Sequence, residues 1–199
     1  MAPPQLASLP PRVDLSKSDA SELVRGRPAW LEILWYLFGS PLIQSRWIVS
    51  SRLRVLLLRA FGARIGREVV MRKAGLDVKF PWKLEIGDNT WIGANVKIDN
   101  LAAVRIGANV VVSNDVYLCT GNHDYSDPHM RLFVQPVALQ DGCWVAVRAV
   151  VCPGVTVGEG AVLAAGSVAN RNVPPFEIHG GNPAVFVRRR NLRHPASVS

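Results

Sequence analysis

The stretch Leu84-Glu85-Ile86-Gly87-Asp88-Asn89-Thr90-Trp91-Ile92-Gly93-Ala94-Asn95-Val96-Lys97-Ile98 repeats its pattern every six residues. Ile86, Ile92 and Ile98 mark the steps. Ile106, Val112 and Leu118 continue them after a two-residue slip, and Val145, Val151, Val157 and Leu163 resume them after a longer interruption. Two residues before each stands a second series: Leu84, Thr90, Val96, Val104, Val110, Val116, then Cys143, Ala149, Val155 and Ala161. Hexapeptide periodicity is a β-helix signature, and three hexads, about 18 residues, close one triangular coil. The aliphatic residue points into the prism, and the residue two places earlier packs near the corner. Asn89, Asn95 and Asn109 occupy turn positions, where left-handed torsions are cheap for asparagine. The fold class is therefore all-β, a parallel β-helix over residues 64–170 whose first coil, 64–83, is irregular.

Working outward, the interruption at 119–142 has no period, while its flanks keep strong coil grammar. It is an excursion from a solenoid, and such excursions often form the binding face. It contains His123 and His129. Upstream, Trp30, Leu31, Leu34, Trp35, Leu37 and Phe38 are spaced for a helix with a broad apolar face. Gly39-Ser40-Pro41 is expected to break it, and a second helix is expected over 42–61, closed by Gly62. These helices, in the segment 29–63, pack on the body or on a partner subunit, or contact a membrane. Residues 1–28 read as a flexible arm, with an arm laid over the body or a neighbouring subunit as the alternative, and 171–199 as rigid turns, a short basic helix over 184–193 and a tail.

The chain of 199 residues is 49% hydrophobic and 19% charged, which excludes overall disorder and fits short strands joined by turns. Its net charge of +8 sits mostly before and after the repeat. No nucleic-acid motif accompanies it, so a polyphosphate cosubstrate, an acidic saccharide or an anionic membrane is the expected counterpart. Cys119, Cys143 and Cys152 are odd in number and lack metal-ligand spacing, so no disulfide framework and no metal are expected. The N-terminus lacks the grammar of a signal peptide. A cytoplasmic setting is expected, with the inner face of the membrane open to the 29–61 segment.

The run Val155–Ala165 with Gly166-Ser167-Val168, Val173-Pro174-Pro175 and Gly181-Asn182-Pro183-Ala184 resembles the C-terminal coils of hexapeptide-repeat acyltransferases, as does Gly121-Asn122-His123-Asp124. Gly39-Ser40-Pro41-Leu42, Phe61-Gly62-Ala63-Arg64-Ile65-Gly66, Lys79-Phe80-Pro81-Trp82-Lys83 and Tyr117-Leu118-Cys119-Thr120-Gly121 resemble the colanic-acid-type exopolysaccharide O-acetyltransferase branch. The resemblance implies a left-handed β-helix, a homotrimer with active sites between neighbouring prisms, and acetyl-CoA as cosubstrate. It implies O-acetylation of a saccharide hydroxyl, on an exopolysaccharide or a lipid-linked intermediate.

Moving acetyl from a thioester to a hydroxyl requires the hydroxyl proton to leave as the oxygen attacks, and a histidine near neutrality suits that step. His123 is the expected catalytic base. Asp99, Asn100 and Asp124 are candidates for supporting it or for binding the acceptor, and a backbone carbonyl would hold the imidazole equally well. The cofactor-binding expectation falls on Trp144, Ala146, Ala164, Gly166, Ser167, Pro183, Arg188 and Arg189. An oxyanion donor is expected from the backbone near Trp144, Val145 and Ala146. Two positions depart from the family pattern: Ala146 replaces a glycine, and the acceptor-side asparagine of related sugar acetyltransferases falls on Gly93, two residues before Asn95. Cys119 lies near His123, but direct transfer needs no thiol nucleophile. The gamma-type carbonic anhydrases share the prism but need three converging histidines, and none precedes His123 here. A longer acyl donor, an amine or non-sugar alcohol acceptor, and a non-catalytic scaffold remain as alternatives.

Overall fold

A computed structural model describes residues 12–21, 23–72 and 75–192. From residue 64 the chain winds into a prism whose three faces are parallel sheets. The first face stacks Arg64–Ile65, Leu84–Ile86, Val104–Ile106, Val137–Leu139 and Thr156–Val157. The second stacks Val70–Met71, Trp91–Ile92, Val111–Val112, Trp144–Val145, Val162–Leu163 and Glu177–Gly180, with Val185–Arg189 added at its edge. The third stacks Asp77–Val78, Lys97–Asp99, Tyr117–Cys119, Val150–Val151 and Val168–Ala169.

Both six-residue series point inward and are buried along the whole prism. Each Ile, Leu or Val so placed contributes about 1.5–3 kcal/mol relative to exposure. Asn89, Asn95 and Asn109 turn the corners at φ of 55, 56 and 57°. The slip in the count has a mechanical cause. Asn100 is fully buried, and its side-chain oxygen accepts from the Phe80 N–H (2.8 Å) while its amide donates to the Phe80 carbonyl (2.6 Å). The extra residues of one coil are thus clipped to those of the coil below.

Coils stack so closely that some glycines admit nothing else. A Cβ on Gly93 would lie 2.5 Å from the Asn114 nitrogen and the Ser113 carbonyl carbon, both backbone atoms of the next coil. Gly166, at φ +67°, has nothing within 4 Å of where its Cβ would sit. Gly93→Ala is therefore expected to destabilise by about 3 kcal/mol, at the upper end of over-packing costs. Gly166→Ala meets only torsional strain and is expected to cost about 1 kcal/mol. Urea denaturation of the two variants checks the order.

Four expectations are corrected. The excursion is shorter than 119–142, because Cys119 completes a third-face rung and Val137–Leu139 pairs with Val104–Ile106 as a first-face rung. The chain stays helical through Gly39-Ser40-Pro41: Ala29–Leu34, a π-helical turn Trp35–Gly39 and Ser40–Gln44 run on without a break, and the next helix is Ser51–Ala60. Gly39 is a packing site, where a Cβ would fall 2.1 Å from the Trp35 ring, and Pro41 follows directly on the π-helical turn, in which the Ser40 N–H reaches back five residues to the Trp35 carbonyl. The basic helix over 184–193 is replaced by an antiparallel hairpin, Glu177–Gly180 with Val185–Arg189. Val185-Phe186-Val187 suits a strand, and the rung Val162–Leu163 offers the open edge that seeds it. The arm is docked where it is described: the Asp14 N–H donates to the Pro128 carbonyl (2.9 Å), and the Leu132 N–H to the Asp19 carbonyl (3.3 Å). The rest of the expected arm and tail, with Arg193 and His194, lies outside the described residues.

Candidate active site

His123 ends the strand Gly121–His123, which pairs antiparallel with Leu132–Val134 to form a hairpin standing off the prism. Its ring is exposed, and Nδ1 lies 2.6 Å from the Met130 carbonyl oxygen. A carbonyl only accepts, so Nδ1 carries the proton and donates it. The neutral ring then presents an unprotonated Nε2. Met130 delivers that carbonyl from a left-handed conformation, φ 49°. The loop between the strands is braced by its own carboxylates. Asp124 accepts from the Ser126 N–H (2.9 Å) and hydroxyl, which hold its carboxyl below the usual range, and Asp127 binds the His129 N–H (2.9 Å) and Arg131. Asp124 therefore braces the turn and does not hold the imidazole.

At the hairpin's root, Cys119 is in register with Asp99 one coil below. The Asp99 carboxylate lies between the Lys79 ammonium (3.2 Å) and the Tyr117 hydroxyl (3.2 Å), which donates to it. Burial, then Cys119 and Asp99, raise the Tyr117 phenol above its ordinary value, so it remains a donor. Asp99, Lys79, Lys97, Asp77 and Tyr36 line a recess of about 190 Å³. Asn100, adjacent in sequence, has both ends of its amide committed to Phe80. The Cys119 thiol donates to the Gly121 carbonyl (3.0 Å), and burial pushes the Cys143 thiol up to about 12, so neither is poised as a nucleophile.

The second face carries a groove of about 630 Å³ lined by Ser113, Trp144, Ala146, Val147, Ala164 and Arg188, among others. Four of the eight expected cofactor residues, Trp144, Ala146, Ala164 and Arg188, meet in it. Trp144 forms a wall, its indole N–H donating to the Ser113 hydroxyl (2.9 Å). The remaining four lie apart. Ser167 is buried and accepts from the Gly181 N–H (3.1 Å), Gly166 and Pro183 form turns, and Arg189 faces Glu177 at 4.0 Å. Arg190 also borders the groove, but its guanidinium pins the hairpin to the Gly142 (3.0 Å) and Gly160 (2.8 Å) carbonyls.

The backbone of this groove separates used donors from free ones, of which the Ala165 N–H is one, with no hydrogen bond among the described residues. The Trp144 N–H donates to Ala161 (2.8 Å) and the Ala146 N–H to Leu163 (2.9 Å), both within the coil stack. The Val147 N–H, next in line and in the groove, makes no hydrogen bond among the described residues. Sequence reasoning singles out neither Val147 nor Met130, because what each offers here is a main-chain group. No residue of the His123 hairpin lines this groove. Among the described residues no group of three or more His, Cys, Asp and Glu side chains is placed to hold a metal.

Beside the groove, Val70, Trp91, Val111 and Trp144 make an exposed outward stripe on the same face. The corresponding outward positions of the first face are Arg64, Glu85, Arg105, Ala138 and Thr156.

The family model for the hexapeptide repeat of succinyl-transferase matches residues 83–119 and 136–170, leaving out the hairpin. The chain is 38% identical to the candidate colanic acid biosynthesis acetyltransferase WcaF of Escherichia coli K12 over 177 residues, 89% of this chain and 97% of that protein. Its fold resembles the crystal structure of the hexapeptide-repeat-containing acetyltransferase VCA0836 from Vibrio cholerae, with a TM-score of 0.73 and 27% identity over 82% of this chain and 94% of that one. The complex of VCA0836 with acetyl coenzyme A superposes with a TM-score of 0.74, at 24% identity, over 86% of this chain and 97% of that one.

Proposed function

Because the chain belongs to the hexapeptide-repeat acetyltransferases, we propose that it moves acetyl from acetyl-CoA directly to a saccharide hydroxyl, with His123 as general base. Acetyl-CoA-dependent acetyl transfer follows from membership, and the β-helix is of the left-handed family type. The observation that carries the finer reading is His123 itself: an exposed imidazole whose Nδ1–H is fixed on a carbonyl, leaving Nε2 to take a proton. The acceptor hydroxyl attacks the thioester carbonyl as Nε2 removes its proton. The charge that develops on the carbonyl oxygen is met by the Val147 N–H, and the CoA thiolate leaves and takes up the proton from the imidazolium. Ala146 and Ala164 leave room for the pantetheine arm, and Arg188 suits the phosphates of the nucleotide end.

The base and the groove lie on different parts of one chain, which supports a homotrimer in which the hairpin of one subunit reaches the groove of its neighbour. The stripe of Val70, Trp91 and Val111 provides apolar surface for that contact. The saccharide assignment rests on similarity to a colanic acid biosynthesis acetyltransferase. The recess at Asp99 supports it, since a carboxylate flanked by a phenol and ammonium groups is suited to sugar hydroxyls. Acetyl-CoA turnover against a panel of sugars, lipid-linked sugars and small alcohols tests this reading; success on a non-sugar alcohol with failure on every sugar would overturn the substrate class. With a working sugar, Asp99→Asn is expected to lower kcat/KM about 10- to 100-fold, the cost of one charge-assisted hydrogen bond. The change should fall on the acceptor KM and leave the KM for acetyl-CoA in place.

A further inference from the structure

We propose that the helical cap over residues 29–61 is a docking face for a membrane surface with anionic headgroups. It deepens the transferase reading by placing the prism where a lipid-linked acceptor lies, but the binding itself does not depend on that reading.

Ala29–Leu34, Trp35–Gly39 and Ser40–Gln44 run as one helical rod with two different sides. The inner side is Trp35, Gly39 and Ile43, all buried, and the Trp35 indole donates to the Val78 carbonyl (2.9 Å). The outer side carries Trp30, Ile33, Leu37 and Phe38, exposed to 60, 57, 63 and 59%. Their spacing of three, four and one residues puts them on a single stripe. Trp47, just beyond, is 93% exposed, and Leu53 and Leu56 extend the apolar surface along Ser51–Ala60. Scattered exposed hydrophobes need no explanation; a run of this density on one end of a molecule marks an interaction surface.

Charge decides what covers it. Residues 29–61 contain Arg46, Arg52, Arg54 and Arg59 against a single acid, Glu32, which Arg25 holds at 2.7 Å. Arg54 is buried, donating to the Ile43 (3.1 Å) and Ser45 (3.0 Å) carbonyls, and Arg59 donates to the Ile65 carbonyl (2.6 Å). Arg46 and Arg52 remain exposed near Trp47 and Leu53, with no acidic partner among the described residues. A second copy meeting this face through the same patch would set arginine against arginine. Indoles, aliphatic side chains and unpaired arginines together match the boundary of an anionic bilayer. A recess of about 440 Å³ under the cap is lined by Val55, Leu56 and Val69 and rimmed by Arg52, by Glu68 and by Arg67, which pairs with Asp88 at 3.2 Å. No helix among the described residues is long and apolar enough to cross a membrane, so the cap lies on the surface.

The cap closes one end of the prism. Ser51–Ala60 packs on Val70–Met71 and Arg64–Ile65, and Ser40–Gln44 on Asp77–Val78, all rungs of the first coil. A cyclic assembly of side-by-side prisms would turn every cap to the same side, so one sheet of lipid would engage all of them at once.

The test is flotation of the full chain with vesicles of phosphatidylethanolamine and phosphatidylglycerol, and separately of phosphatidylcholine alone. Wild type is expected to float with the anionic vesicles and to stay in buffer with the neutral ones. The pair Arg46→Glu and Arg52→Glu, and separately Phe38→Ser with Trp47→Ser, are each expected to weaken binding about tenfold or more. Oligomeric mass by light scattering and turnover with a water-soluble acceptor should stay at wild-type values. Wild-type protein that ignores anionic vesicles overturns the proposal, and so does a change of oligomeric mass in either variant, which would make the face a subunit contact. Loss of the transferase reading would appear separately, as absence of turnover in wild type.

Discussion

His123→Ala is expected to lower kcat about 10²- to 10⁴-fold, the usual contribution of a positioned general base, or about 2.7–5.5 kcal/mol of barrier. The KM for acetyl-CoA should change little, because the imidazole acts on the proton of the acceptor hydroxyl while the groove residues Trp144, Ala146, Ala164 and Arg188 hold the CoA. The ring is exposed, so its removal leaves no cavity, and the thermal midpoint should hold. The orientation of the imidazole rests on the Met130 carbonyl at 2.6 Å, with no carboxylate behind it. Asp124→Ala should therefore act only by loosening the Asp124–Ser126 turn and cost far less than loss of the base. Steady-state kinetics of the two variants, with circular dichroism to show they are folded, decides the matter. A folded His123→Ala enzyme with wild-type kcat removes His123 from the chemistry.

The prism was legible because its signal is arithmetic. A step of six residues survives any change of aliphatic identity, and Ile86, Ile92 and Ile98 lie on it without error. The same arithmetic reaches further than the forward count suggests. Val137 and Leu139 stand six residues before Cys143 and Val145, so counting backward places them in a coil and shortens the excursion as the structure does. The C-terminal hairpin had no such signal. Val185-Phe186-Val187 becomes strand by pairing with Glu177–Gly180, which itself needs the open edge at Val162–Leu163, a rung well back along the chain. Gly39 misleads for a related reason: a glycine that makes room for Trp35 looks the same in sequence as one that breaks a helix. At the site, candidate side chains such as His123 and Trp144 could be singled out from type and context. Asn100 looked equally chemical, yet its amide is spent on the Phe80 backbone. Main-chain groups are anonymous in sequence, so the Met130 carbonyl and the Val147 N–H appear only once the chain is folded.

Val147→Pro addresses that second group, and it is expected to lower kcat about 10²- to 10³-fold, the cost of losing one oxyanion donor. Proline deletes the N–H and leaves the carbonyl, which still accepts from Gly166 (2.9 Å) and so keeps the corner tied to the next coil. The N–H itself takes part in no bond among the described residues, so its loss removes nothing from the ladder. Val147→Ala keeps the N–H and should retain most of wild-type kcat. The pair separates the main-chain donor from the side chain, whose exposed apolar surface borders the groove. If proline prevents folding, replacing the residue by its α-hydroxy analogue exchanges only N–H for oxygen and poses the same question. A folded variant without the N–H that turns over at the wild-type rate would rule out this donor. It would also leave the groove without a free backbone dipole at Trp144–Val147, since the N–H groups of Trp144 and Ala146 already hold the coils together.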